Sequence, residues 1–123
     1  IIGAAIKVHR TIGPGLLESI YEECLAKEFE LQGIQFERQK SLPVFYEGIK
    51  LNCKYRFDFL VEREVVVELK CTDMIPPIFC SQVLTYLRLL NRKIGLIINF
   101  NIPVLHEGVK RIINNYYNPL QNI

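Results

Sequence analysis

Residues that build special chemistry are scarce in this chain. It has no Trp, one Met (Met74), two His and four Cys. Cys24, Cys53, Cys71 and Cys80 form no Cys-x-x-Cys pair, and neither His stands at zinc-like spacing from them. A zinc module is therefore not indicated, and reduced thiols in a cytoplasmic protein are expected. No apolar run approaches the ~20 residues of a bilayer span, and no signal-peptide pattern is present. The formal charge of +2 is weakly basic and by itself names no partner. Linkers, repeats and low-complexity segments are also missing. What remains is 123 residues, half of them apolar, which suits a single domain over 1–123 with a sizeable core. The chain opens on Ile, so an N-terminal start is expected to have been trimmed.

The hydrophobic pattern orders the elements. Residues 1–10 read as a helix with an apolar stripe of Ile1, Ala5, Val8 and Ile12, broken by Gly13-Pro14-Gly15. A second helix, about 16–32, carries Leu17, Ile20, Tyr21, Cys24, Leu25 and Leu31 and stops at Gly33. Strands are expected at 34–40 and 42–46, then a Glu47-Gly48 hairpin turn into a long strand at 49–61, then a strand at 65–70. Pro76-Pro77 opens a helix at about 78–90. Ile94–Phe100 is almost wholly apolar, as a central strand buried on both faces would be. A closing helix is expected at about 106–117. This order predicts an α/β fold, a mixed sheet flanked by helices on both faces.

The chemistry concentrates between Tyr55 and Lys70. With Glu62-Arg63-Glu64 as the turn, an antiparallel register sets Val61 against Val65 and Asp58 against Glu68, with Cβ atoms about 5 Å apart. Glu68 and Lys70 share one side of their strand. On the other strand Tyr55, Phe57, Phe59 and Val61 form an apolar face, leaving Asp58 on the more polar side. Opposed carboxylates repel unless a cation lies between them. A hard divalent ion such as Mg²⁺ takes oxygen ligands of this kind, and the Leu69 carbonyl could add a third. Lys70 could orient a water or stabilise a phosphate. Alone, Glu-x-Lys is also what the solvated edge of a strand presents; Asp58 at matching parity is what favours the metal site.

Other residues could join it. In the helix at 78–90, Gln82 sits among Phe79, Val83, Tyr86, Leu87 and Leu90, and a buried amide there would need a polar partner. Tyr86 lies one turn further along. Glu18 is an acid in the first turn of its helix, at the border of the buried face near Tyr21, from where it could reach the sheet. His9 reads as a satisfied core histidine and His106 as exposed. Arg38, Lys40, Lys50, Lys54 and Arg56 either form a phosphate-contacting surface beside Phe45 and Tyr46 or are ordinary solvated charges.

Together these pieces resemble a known family. Gly15-Leu16-Leu17-Glu18-Ser19-Ile20-Tyr21 matches the Gly-x-x-Glu-x-x-Tyr signature of a group of small prokaryotic proteins, the GxxExxY family, which looks like a branch of the PD-(D/E)xK nuclease superfamily. Tyr55-Arg56-x-Asp58, Val67-Glu68-Leu69-Lys70, Gln82-x-x-x-Tyr86-Leu87 and Gly95–Phe100 follow in the matching order. The resemblance implies a restriction-endonuclease-like core. Asp58 and Glu68 would be the metal ligands, with the Leu69 carbonyl and the helix-borne Glu18 beside them. Lys70 would be the catalytic lysine, and Gln82 and Tyr86 would match the Gln-x-x-x-Tyr motif of exonuclease-like members. The expected activity is Mg²⁺-dependent hydrolysis of DNA phosphodiesters, Mn²⁺ being a possible substitute, with Arg38, Lys40, Lys54 and Arg56 contacting the substrate. A catalytically idle nucleic-acid-binding or protein-interaction module of the same fold is the alternative. A homodimer would enlarge the small surface one chain offers a duplex.

Overall fold

The computed structural model describes residues 1–122. Helix α1 (Ile2–Ile12) buries Ala4, Ala5, Val8 and His9, and the His9 ring is satisfied by the Ile102 carbonyl at 2.7 Å. Helix α2 (Glu18–Leu31) starts two residues later than its pattern suggests, because Leu16 and Leu17 belong to the preceding loop. Its core stripe is Tyr21, Leu25, Ala26 and Phe29, while Leu17, Ile20 and Leu31 are exposed.

Five strands follow in one sheet: β1 (Phe36–Tyr46), β2 (Ile49–Val61), β3 (Val65–Lys70), β4 (Ile94–Asn99) and β5 (Val109–Ile113). Their spatial order is β1-β2-β3-β4-β5. Only β3 and β4 are parallel, and helix α3 (Pro77–Leu90) makes the crossover that a parallel pair requires. Glu47 and Gly48, both at positive φ, form the tight hairpin turn between β1 and β2. The segment expected as two strands, 34–40 and 42–46, is one continuous strand.

Helices α1 and α2 cover one face of the sheet, packing on Phe59, Val61, Val67, Leu69, Leu96 and Ile98. Helix α3 covers the other, over Phe57, Leu60, Val66, Ile97 and Ile112. It lies close to β4: a Cβ on Gly95 would stand 2.6 Å from Val83 Cγ1. The chain is thus α/β with a mixed sheet and helices on both faces.

Two expectations are corrected here. The closing helix does not form: residues 105–108 make a short 3-10 turn and Val109–Ile113 pairs antiparallel with β4. Val109, Ile112 and Ile113 fit a helical stripe by spacing, but they are β-branched and β4 offers an open edge. The second correction concerns β2. Phe59 and Val61 face α1 and α2, whereas Tyr55 and Phe57 pack with Tyr86 of α3. Strict alternation would keep all four on one side. The inversion falls at Asp58, opposite Gln39, whose φ of 50° is rare for a residue with a side chain.

Candidate active site

The sequence around Glu18 explains its own motif. Tyr21 is fully buried, stacked on Phe100 with ring centroids 4.5 Å apart. Its hydroxyl donates to the Gly13 carbonyl at 2.5 Å and accepts the Leu16 N–H at 3.2 Å. One side chain therefore ties down the loop from Gly13 to Leu16, and Glu18 follows at the first turn of α2. Negative charge is favoured at that helix end.

The turn at 62–64 is three residues long, and the Glu64 N–H returns to the Val61 carbonyl at 3.0 Å. Val61 pairs with Val65, Leu60 with Val66 and Phe59 with Val67, as expected. At the next step the ladder gives way to side chains. The Asp58 N–H donates to Glu68 Oε1, and the Leu69 N–H donates to Asp58 Oδ2, both at 2.8 Å. Each carboxylate has one oxygen anchored by the opposite strand. Lys70 Nζ lies 3.8 Å from Glu68 Oε2 and 4.2 Å from the centre of the Phe79 ring.

These groups line a cleft of about 420 Å³ formed by Glu18, Ser19, Glu22, Gln39, Arg56, Asp58, Glu68 and Lys70. A slightly larger cleft, about 450 Å³, lies at the other end of β3, but its acids Glu62 and Glu64 are exposed. Burial is what separates the two. Glu68 is only 8% exposed. Burial, then the charge of Asp58, pushes its carboxyl up to about 8. Burial likewise raises Asp58 to about 6, against the lowering effect of the Leu69 N–H. Glu18 is also raised by burial, with Lys70 opposing. Several carboxylates are therefore held at a cost to their charged forms.

The structure brings together five of the expected residues: Glu18, Asp58, Glu68, Lys70 and Arg56. Tyr86 is close by, buried against Phe57 and Tyr55, and its hydroxyl is pushed above its ordinary value by burial and by the charges of Glu68 and Asp58. Gln82 is exposed, not buried, a correction with a simple cause. The stripe that α3 buries centres on Val83, Tyr86 and Leu87, with Phe79 and Leu90 half-buried, and Gln82 falls at its margin. The basic residues fall into two groups. Arg38 donates to Glu22 at 2.8 Å and to Glu23 at 2.7 Å, and Lys40 pairs with Glu37 at 2.6 Å, so both cations are occupied by acids of this chain. Lys54 and Arg56 are exposed.

Three cleft residues, Ser19, Glu22 and Gln39, are not among the expected site residues. Glu22 stands four residues after Glu18, the spacing that puts both on one helix face, and that signal was available. Gln39 donates to Glu22 and, at 3.3 Å, to Asp58 Oδ1. Its place depends on the β1–β2 register, which composition does not reveal.

The model of one family, described as the PD-(D/E)XK nuclease superfamily, matches residues 1–112. The chain belongs to the PD-(D/E)XK nuclease superfamily. No curated protein and no solved structure matches it. The superfamily consists mostly of nucleases, generally using divalent metals such as Mg²⁺. The donor set of this PD-(D/E)XK chain suits such an ion. Asp58, half-buried, and Glu68, buried, offer hard oxygen donors backed by backbone N–H groups. Among the described residues no three His, Cys, Asp or Glu side chains are grouped to hold a metal. Two carboxylates completed by main-chain and water oxygens are a common Mg²⁺ arrangement.

Proposed function

We propose that this chain is a Mg²⁺-dependent nuclease that hydrolyses DNA phosphodiester bonds, of the GxxExxY branch and cytoplasmic. The observation that carries this reading is the pair of opposed carboxylates, Glu68 buried and Asp58 half-buried, with the Lys70 ammonium 3.8 Å from Glu68. A buried and a half-buried acid beside one cation relieve their charge only by holding protons or a further cation. Asp58 and Glu68 would hold the ion, with the Leu69 carbonyl and Glu18 beside them. Bound there, the ion supplies Lewis-acid polarisation of a phosphate oxygen and a more acidic water. Lys70, held by Glu68 on one side and Phe79 on the other, orients the attacking water and offsets charge on the phosphate. Tyr86, buried and near enough to feel both acids, would support the site, and Gln82, exposed one turn before it, would meet substrate. Arg56 and Lys54 approach the phosphates beside the cleft.

Purified protein incubated with DNA and Mg²⁺ or Mn²⁺ tests the proposal. Cutting that disappears in Asp58→Ala and Glu68→Ala, with folding intact, supports it; cutting unchanged in both identifies a contaminant. The idle binding module is the second reading, favoured by the two N–H···carboxylate bonds, which a purely structural pair would also make. Calorimetric titration with Mn²⁺ near neutral pH separates the two, since the idle module binds no ion.

A further inference from the structure

Strands β1 and β2 extend past the layer covered by helices, and their shared hairpin bears unpartnered apolar and basic side chains. Phe45 is 60% exposed and Tyr46 68%. Residues 43–56 hold three cations, Lys50, Lys54 and Arg56, against one acid, Glu47. None of the three cations has an ion pair or hydrogen bond among the described residues, unlike Arg38 and Lys40. Register decides how they are arranged. Phe45 stands opposite Lys50, Pro43 opposite Lys54 and Ser41 opposite Arg56. The register shifts between Pro43 and Phe45, but both strands advance by an even number of residues there, so side-chain parity keeps these pairs on one face of the ribbon. Arg56 then lines the acidic cleft two residues before Asp58.

We infer that this face is a track for single-stranded nucleic acid, running from an aromatic stacking point at Phe45, along Lys50, Lys54 and Arg56, into the cleft. The placing of the scissile phosphate at its end rests on the nuclease reading. A single file of cations on one face follows one sugar-phosphate backbone, and steps of two residues, about 7 Å, are comparable with the spacing of successive phosphates. Lys54 and Arg56 are one such step apart. A duplex is held by its phosphates and keeps its bases paired and stacked, so it has no use for exposed aromatic groups at the tip. The tip offers Phe45, Tyr46 and Ile49, flat or apolar groups suited to unpaired bases. Charge complementarity also disfavours a second copy of this basic face as the occupant.

Fluorescence anisotropy with a labelled oligo-dT strand and a blunt DNA duplex, both in EDTA, measures binding without cleavage. The single strand should bind more tightly, with a log–log salt slope of about −2 for three cations. Phe45→Ala should weaken single-strand binding about fivefold or more. Lys54→Ala should flatten the slope by about 0.7. Both positions are exposed, so unchanged circular dichroism melts should certify folding. Duplex binding equal to or tighter than single-strand binding overturns the inference, as does undiminished binding by Phe45→Ala. A dimer in sedimentation that Phe45→Ala dissociates also overturns it, giving the tip to a second copy. Phe45→Ala should leave Mn²⁺ calorimetry unchanged. Single-strand binding by a wild-type protein that takes up no Mn²⁺ would sink the nuclease reading and leave the track standing.

Discussion

Asp58 and Glu68 hold each other's strands open: the Asp58 N–H donates to Glu68 Oε1 at 2.8 Å, and Asp58 Oδ2 accepts the Leu69 N–H at the same distance. The two bonds replace the ladder that otherwise joins β2 to β3. Side chains thus part the strands at the point where a substrate phosphate would sit, and the remaining oxygens turn toward the cleft.

Metal-free protein should lose stability as pH rises. Asp58 and Glu68 are raised in the folded state to about 6 and about 8, so the folded chain binds more protons than the unfolded one above the ordinary carboxylate range. The contribution of these two groups to stability is then fullest below about pH 4 and declines until pH passes about 8, where the folded Glu68 ionises. Melting at pH 8 should lie several degrees below melting at pH 5.5 in EDTA. Saturating Mn²⁺ should raise the melting temperature more at pH 8, where protons compete less for the carboxylates. Equal melting at both pH values would show that the acids are not held against their charge.

Glu68→Gln should stabilise the metal-free protein at pH 8 while abolishing Mn²⁺ binding. The amide oxygen can still accept the Asp58 N–H, and the buried charge is gone. A gain of about 1 kcal/mol or more is expected in denaturant melts. A variant that is less stable at pH 8 would contradict the burial account.

Tyr21→Phe keeps the stacking on Phe100 and removes two hydrogen bonds, to the Gly13 carbonyl and from the Leu16 N–H. A loss of about 1–3 kcal/mol is expected, because the Gly13 carbonyl loses its donor. Cleavage should fall more than the stability loss explains, since the loop ahead of Glu18 is released. Amide exchange in residues 13–18 reports this directly, and protection there unchanged from wild type would refute it.

Gly95→Ala should destabilise by about 1–3 kcal/mol, since the new Cβ would meet Val83 Cγ1 at 2.6 Å. The double variant Gly95→Ala/Val83→Ala should show favourable coupling in a double-mutant cycle, because the smaller side chain makes room. Additive losses would mean that α3 shifts as a body.

Much of the site was legible because strand parity is a local property. An odd turn at 62–64 and alternation along β3 are enough to place Asp58 opposite Glu68 and Lys70 beside it. The helix that was expected over 106–117 failed because Val109, Ile112 and Ile113 satisfy two periodicities, and only the open edge of β4 selects one. Gln82 was misread because a stripe has a margin that spacing alone does not locate. The ion pairs of Arg38 are not legible locally because its partners, Glu22 and Glu23, lie 16 and 15 residues away on another element.

By itself the sequence determined the order of elements up to β4 (apart from dividing β1 in two), the hairpin turns, and the pairing of one acid on each of two strands. Those follow from turn length and side-chain period. Tertiary structure decided that β1 and β2 invert at Gln39 and Asp58, that α2 brings Glu18 and Glu22 to the same cleft, and that the acids are buried enough to be raised. Burial, register beyond one hairpin and the partner of each charge are set by contacts between distant segments, which no local pattern encodes.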